Sequence, residues 1–462
     1  MANDIQVKTG LDKLVAAAKT TPAQEAMAAT LRLKLDYDQL TNCMRCGFCL
    51  PACPTFRETG VEAESPRGRI ALMKAVADGI LKPDASFEEQ MNHCLACRAC
   101  EPACPADVKY GRLIEQARDA VEDHTESHRW WVRAVRKTAF RGLFPHQNRM
   151  RLLGKALKLY QGTKLKQWTR RSGVMKLFPA HLQDMERILP PAADDGVVAR
   201  IGAAHAAKGG APVAKVGLFR GCIMDVLFTD TNVNTVRLLT EAGFEVVIPD
   251  AQNCCGALHA HSGEAEDARG LARRNIRAFR EAGVDYIATN AGGCGAALVE
   301  YDHLLHGDPE WEDGARWFAE RVIDVSELLV RKGRPLAFEA AAPTRITYQD
   351  SCHLRNVMKS SGAPRTLMGR IAGAELCEMK EADRCCGSAG IYNVTQPDMS
   401  GRILEHKMEH AAATKADYLL TSNPGCLLQM KLGIEKHGDP DRMEAVHVVD
   451  FLYERLKRSP AN

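Results

Sequence analysis

The chain has 462 residues, 45% of them apolar and 26% charged, the composition of a soluble globular protein with room for two to four domains. Its seventeen cysteines, without a positively charged leader and apolar run in MANDIQVKTGLDKL, point to a reducing compartment and metal chemistry and exclude a secreted disulfide framework. No stretch approaches 18 uninterrupted apolar residues, so no membrane-spanning helix is expected, and the net charge of +3 hides one strongly basic segment in the middle of the chain.

Residues 1–40 are Ala-rich and helix-prone (LVAAA, EAMAATLRLKL) and read as an N-terminal helical arm, more a lid on the neighbouring cysteine-rich region than a free interaction arm. Residues 41–125 carry two runs of the form C-x2-C-x2-C-x3-C-P, Cys43, Cys46, Cys49, Cys53 and Cys94, Cys97, Cys100, Cys104. This is the spacing that holds [4Fe–4S] clusters in bacterial ferredoxins, where three thiolates of a tight loop take three iron corners and the fourth cysteine serves the other cluster. The expected sets are Cys43, Cys46, Cys49 with Cys104, and Cys94, Cys97, Cys100 with Cys53. A pair of zinc ribbons also uses C-x2-C knuckles, but zinc takes four ligands and has no use for the third cysteine of each run.

Between the runs, Ser65–Pro66 suits a helix start, and Ile70, Leu72, Met73, Val76 and Ile80 recur at helical spacing. GRLIEQARDAVEDH reads as a second amphipathic helix. The expectation is an α-helical two-cluster ferredoxin-type domain, not the compact β-rich kind.

Residues 126–190 form a basic helical connector. From 127 to 183 there is no Asp or Glu, while Trp130, Trp131 and Trp168 interleave with Arg and Lys. Such a stretch suits an amphipathic membrane-surface element. The reading we favour from sequence is a connector whose basic face meets an acidic partner or an acidic patch of this chain. Nucleic acid is not expected, since no base-reading motif accompanies the charge. Residues 191–212, rich in Ala, Gly and Pro, read as a linker.

Beyond it the cysteines fall in two matching sets, 213–335 with Cys222, Cys254, Cys255 and Cys294, and 343–462 with Cys352, Cys385, Cys386 and Cys426. The offsets are 130, 131, 131 and 132 residues, which marks a duplicated domain with a Cys-Cys-Gly motif in each copy. KVGLF, FEVVIP and DYIATN, then RITYQD, AELCEM and DYLLTSN, read as strands alternating with helices, so each copy is an α/β domain with a parallel sheet. The cysteines follow the carboxyl ends of these strands, where such sheets gather ligands, and each set is a candidate site. Reduced core cysteines are the alternative. Cys377 lies inside a strand and reads as core. His259, His261 and His353 follow the cysteine motifs as supporting groups, with His353 the candidate for contact around a cluster.

CMRCGFCLPACPTF, SPRGRIALMK, HCLACRACEPACPADVKY, the two Cys-Cys-Gly repeats and SNPGC together resemble the family of iron–sulfur subunits of bacterial glycolate oxidase, from about residue 40 to the C-terminus. The resemblance implies an electron-transfer subunit with no catalytic residue of its own. Its partner would be an FAD-containing subunit that oxidises glycolate or another 2-hydroxy acid, with electrons passing through the clusters toward the respiratory chain. The flavin should reside in that partner, since no strand-bound G-x-G-x-x-G is found in this chain. Expected cofactors are two [4Fe–4S] clusters, with further iron–sulfur clusters in the repeats left open. A peripheral membrane or quinone contact would place the protein on the inner face of the cytoplasmic membrane, and otherwise it is cytoplasmic. Lactate utilisation, glycerol-3-phosphate dehydrogenase and heterodisulfide reductase chains are built from the same parts and are the alternatives. Reductases of the last kind carry a C-x-x-C pair at the third cysteine position, where Cys294 and Cys426 stand alone here.

Overall fold

The computed structural model describes residues 21–125, 128–193 and 195–457. The LVAAA stretch of the expected N-terminal arm lies outside them. From Pro22 onward the segment is a lid. Helix α1 (Pro22–Lys34) starts in a capping box between Thr21 and Gln24, with Pro22 in its first turn. It buries Met27 and Leu31 against α2 (Pro66–Ala77) and α3 (Tyr110–His124), which supply Met73, Val76, Leu113, Ile114 and Ala117. This core sits beneath the two cysteine loops, and the region is helical throughout.

Ser65 caps α2 by accepting from the Gly68 amide at 3.0 Å. A Cβ at Gly68 would stand 1.9 Å from the Glu62 carbonyl oxygen, so only glycine lets the chain double back there. The helix ends sooner than its apolar spacing predicts. It stops at Ala77, Gly79 turns the chain with φ of 75°, and Ile80 is 80% exposed.

The basic connector runs through α4 (Trp130–Lys137), a wide turn at Thr138–Leu143, α5 (Gln147–Gly162) and α6 (Lys164–Arg171). Part of its charge meets acidic groups of this chain. Arg136 pairs with Glu122 and Glu264, Arg141 with Asp267, Arg151 with Asp225 and Arg170 with Glu186. The apolar residues largely do not find a core. Helices α4 and α6 have no buried residue, and Trp130, Leu152, Leu159, Trp168 and Leu177 all lie exposed.

Among the described residues the second half holds two sheets. The first has strand order β1-β3-β2-β4-β5, from β1 (Ala204–His205), β2 (Lys215–Phe219), β3 (Glu245–Val247), β4 (Tyr286–Thr289) and β5 (Val322–Asp324). The second has order β7-β6-β8-β9, from β6 (Thr344–Tyr348), β7 (Ala374–Leu376), β8 (Tyr418–Thr421) and β9 (Glu444–His447). Every pairing is parallel except β1 with β3, so the copies share one four-stranded topology. They also share a core, in which Val216, Leu218 and Phe244 of the first copy join Ile346, Tyr348 and Phe451 of the second.

Three sequence expectations change here. The stretch read as a linker supplies β1 and a short helix, Val197–Ile201, whose Val197 is fully buried. Strands β5 and β9 close the sheets beyond the three strands foreseen per copy. Cys377 is not core: it follows β7 on the sheet's edge, half-buried, and its sulfur accepts from Arg345 at 3.1 Å.

Candidate metal centres

The two cysteine runs fold as the same loop. Arg45 and Gly47 in the first and Ala96 and Arg98 in the second hold positive φ, at 56°, 92°, 52° and 58°. In each loop two successive turns close on the fourth cysteine, Gly47 O to Leu50 N and Leu50 O to Cys53 N, then Arg98 O to Glu101 N and Glu101 O to Cys104 N. Three of these four left-handed positions carry a side chain, a backbone state that costs about 1–3 kcal/mol each and persists where the surroundings demand it. What it achieves here is a loop that turns its cysteines toward a common cavity.

The loops bring the cysteines together in two groups. Cys43, Cys46, Cys49 and Cys104 line one cavity with Ile70 and Val108, and Cys53, Cys94, Cys97 and Cys100 line another with Arg69. Cys100 borders both. The first group lies at the surface, with Cys46 exposed and Met44 and Phe48 on either side of it each 64% exposed. The second is buried throughout.

The donor set fits an iron–sulfur cluster. Each cavity gathers four cysteines in a largely apolar lining, and a four-iron core takes one thiolate at each of its corners. Hydrogen bonds to sulfur are present too, from the Ala96 amide (3.3 Å) and the Tyr110 hydroxyl (3.5 Å) to Cys94. Burial pushes the Cys49, Cys53 and Cys100 thiols upward, so the free thiols hold their protons and loading the site releases them.

Arg69 and its partners form a polar centre that sequence reading missed. Its guanidinium, fully buried, donates to the Glu64 carboxylate at 2.7 Å and to the Gln90 carbonyl at 2.8 Å, and Glu64 in turn lies 2.7 Å from His93 Nδ1. It places a permanent positive charge beside Cys53 and Cys94.

In the first repeat, Cys222 and Cys254 stand 3.6 Å apart, sulfur to sulfur, and Cys255 reaches both Cys254 and Cys294. Tyr301 and Asn275 hold the Cys-Cys turn by donating to the Cys255 and Cys254 carbonyls at 2.8 and 3.0 Å. In the second, Cys352, Cys385, Cys386 and Cys426 meet in the same way. The Gly that follows each pair has positive φ, and a Cβ at Gly387 would stand 2.8 Å from the Ser400 carbonyl oxygen. Lys407, also unforeseen, is fully buried behind this second set and donates to the Glu381 and Ala382 carbonyls at 2.7 and 3.0 Å. Burial brings its ammonium down to about 8.

The histidines serve contacts between domains. His259 Nε2 lies 2.8 Å from the Phe140 carbonyl of the connector, and His261 Nδ1 lies 2.7 Å from Glu115 on α3. His353 Nε2 lies 3.1 Å from the Ala96 carbonyl, inside the second cysteine loop, and its ring stacks on His261 with centroids 5.2 Å apart. Burial lowers His353 to about 4, so it is neutral at ordinary pH.

Comparison with known proteins places these parts in families. Residues 39–108 match the 4Fe-4S dicluster domain, residues 216–299 and 346–431 each match the cysteine-rich CCG domain, and residues 131–189 match the linker region of the glycolate oxidase iron-sulfur subunit. The chain is 51% identical over 433 residues to the probable glycolate oxidase iron-sulfur subunit of Bacillus subtilis, covering 91% of this chain and 95% of that protein. It is 31% identical over 395 residues to the glycolate oxidase iron-sulfur subunit of Escherichia coli, covering 84% and 88%. Lactate utilization protein A of Geobacillus thermodenitrificans is 36% identical over 241 residues, which is 99% of that protein but 52% of this chain.

Proposed function

This chain belongs to the family of glycolate oxidase iron–sulfur subunits, and we propose on that footing that it is the electron-transfer subunit of a flavin-dependent glycolate dehydrogenase. An FAD-containing partner oxidises glycolate to the 2-oxo acid, and this chain passes the electrons toward the respiratory chain. We assign Cys43, Cys46, Cys49 and Cys104 to one [4Fe–4S] cluster and Cys94, Cys97, Cys100 and Cys53 to the other. The observation that carries the reading is the pairing of one surface group of four thiols with one buried group of four, within a single helical core.

When bound, each cluster supplies one-electron transfer. The protein's own residues do the rest. Met44 and Phe48 present an apolar rim beside exposed Cys46, where a partner's cofactor can approach. Arg69 balances negative charge on the buried thiolates. Tyr110 and the Ala96 amide donate to sulfur, which sets how readily that centre accepts an electron.

Glycolate is favoured over lactate as the partner's substrate because the glycolate relatives match nearly the whole chain, whereas the lactate protein matches half. No helix among the described residues is long and apolar enough to cross a membrane. The exposed Trp and Leu residues of the connector support peripheral contact with an anionic bilayer instead.

The test is to mix the chain with its flavoprotein partner and glycolate without air. Cluster absorbance bleaching only in the presence of both supports the reading. Oxidation of glycolate by this chain alone, with an artificial acceptor, overturns it.

A further inference from the structure

The two repeats are alike in fold but unlike in how they face the dicluster domain. Cys97 packs in one apolar group with Cys352 and Cys385 of the second repeat, together with Leu95 and Tyr392. Its thiol is within hydrogen-bonding reach of Cys385. The backbone around it is tied to the same repeat. Asn356 Nδ2 donates to the Cys97 carbonyl at 2.9 Å, in a buried position, and the Tyr392 hydroxyl donates to the His93 carbonyl at 3.1 Å. Ion pairs of Arg57 with Glu381 (2.7 Å) and Arg384 with Glu58 fasten the rim.

The first repeat meets the dicluster domain through charge, not sulfur. Arg98 pairs with Glu300 at 2.5 Å, Glu115 meets His261, and Arg118 donates to the His261 carbonyl at 3.0 Å. A cavity of about 50 Å³ lies between Cys255 and these groups, enough to hold water. Among the described residues, no cysteine of the dicluster domain joins the apolar group that contains Cys222, Cys254 and Cys255.

We propose that the second repeat's cysteine set is the electron acceptor of the buried dicluster centre, with the Cys97–Cys385 contact as the path, and that the first repeat lies off this path. The inference rests on the electron-transfer function proposed for the chain. One electron leaves the iron–sulfur centre held by Cys53, Cys94, Cys97 and Cys100, which is oxidised. It enters an iron–sulfur centre held by Cys352, Cys385, Cys386 and Cys426, which is reduced, and no bond is made or broken. The packing of Cys97 against Cys385 suits this, because it shortens the gap that the electron crosses between the two sets.

The experiment uses the full chain, purified without air and reduced with dithionite, and reads iron content and electron paramagnetic resonance together. Magnetic interaction between neighbouring reduced centres splits the signal. The two dicluster centres split each other's signal in every variant, and the expected result is a further splitting in the wild-type chain that persists in Cys254→Ser and is lost in Cys385→Ser. Asn356→Ala keeps every thiol and loosens only the tie to Cys97, so it should retain full iron and weaken the further splitting. A further splitting that survives in both Cys385→Ser and Asn356→Ala, or that Cys254→Ser removes equally, overturns the proposal. About eight irons per chain, all in the dicluster domain, would overturn this inference and leave the electron-transfer reading standing. A chain that takes up no iron would overturn both.

Discussion

Arg69 and Glu64 form an ion pair at 2.7 Å with both side chains inside the protein, and Arg69 lines the cavity of the buried cysteine group. Removing one member of such a pair leaves an uncompensated buried charge, at a cost of about 3–5 kcal/mol. Arg69→Met should therefore lower stability by that order, read as a fall in the urea midpoint. In molecules that still load iron it should also make the buried centre harder to reduce, because a nearby positive charge favours the electron-rich state. An unchanged potential in loaded Arg69→Met would show that Arg69 is structural only.

Gly68→Ala tests the turn that leads into α2. The added methyl meets backbone, the Glu62 carbonyl at 1.9 Å, which cannot swing away as a side chain could. The expected loss is about 1–3 kcal/mol, the usual scale for overpacking, visible in urea unfolding. A variant as stable as the wild type would mean that the Glu62–Glu64 turn shifts freely.

Asp324 gives a pH signature. Its carboxyl is fully buried at the start of the helix Val325–Arg331, and it accepts from the Ser326 amide at 2.8 Å. Burial raises it from 3.8 to about 7, with nearby Glu327 adding to the effect. Between those values the folded chain holds a proton that the unfolded chain releases, so this group's contribution falls as pH rises from about 4 to 7. Asp324→Asn keeps an acceptor for the cap and removes the titration. Its stability relative to wild type should improve steadily across that window. A constant difference would mean that Asp324 ionises normally.

The connector should bind anionic vesicles. Trp168 on α6 and Leu152 and Leu159 on α5 are exposed, and Lys164, Arg171 and Lys176 make no ion pair among the described residues. Each such cation near an anionic surface is worth roughly 1 kcal/mol and is screened by salt. Sedimentation with phosphatidylglycerol vesicles should fall with added salt and fall again in Trp168→Ser. Binding only to an acidic protein partner, with none to vesicles, would favour the protein-docking reading of the same helices.

How legible these features were depended on how local they are. The cysteine spacing, the Ser65–Pro66 helix start and the strands that precede Cys222 and Cys352 are written in short stretches, and the structure has them where the spacing puts them. The tie between Asn356 and Cys97 joins residues 259 apart, and no periodicity records such a contact. Nothing in the local pattern around Arg69 reveals that its side chain turns inward to Glu64. The connector's charge was visible, but its division into paired residues such as Arg136 and exposed ones such as Trp130 depends on where the first repeat stands.

The most direct test of the central claim is the iron and acid-labile sulfide content of the chain purified without air. The account predicts at least about eight of each per chain, the content of two [4Fe–4S] clusters, falling by about four in Cys46→Ser. A chain with stoichiometric zinc and no labile sulfide would contradict it.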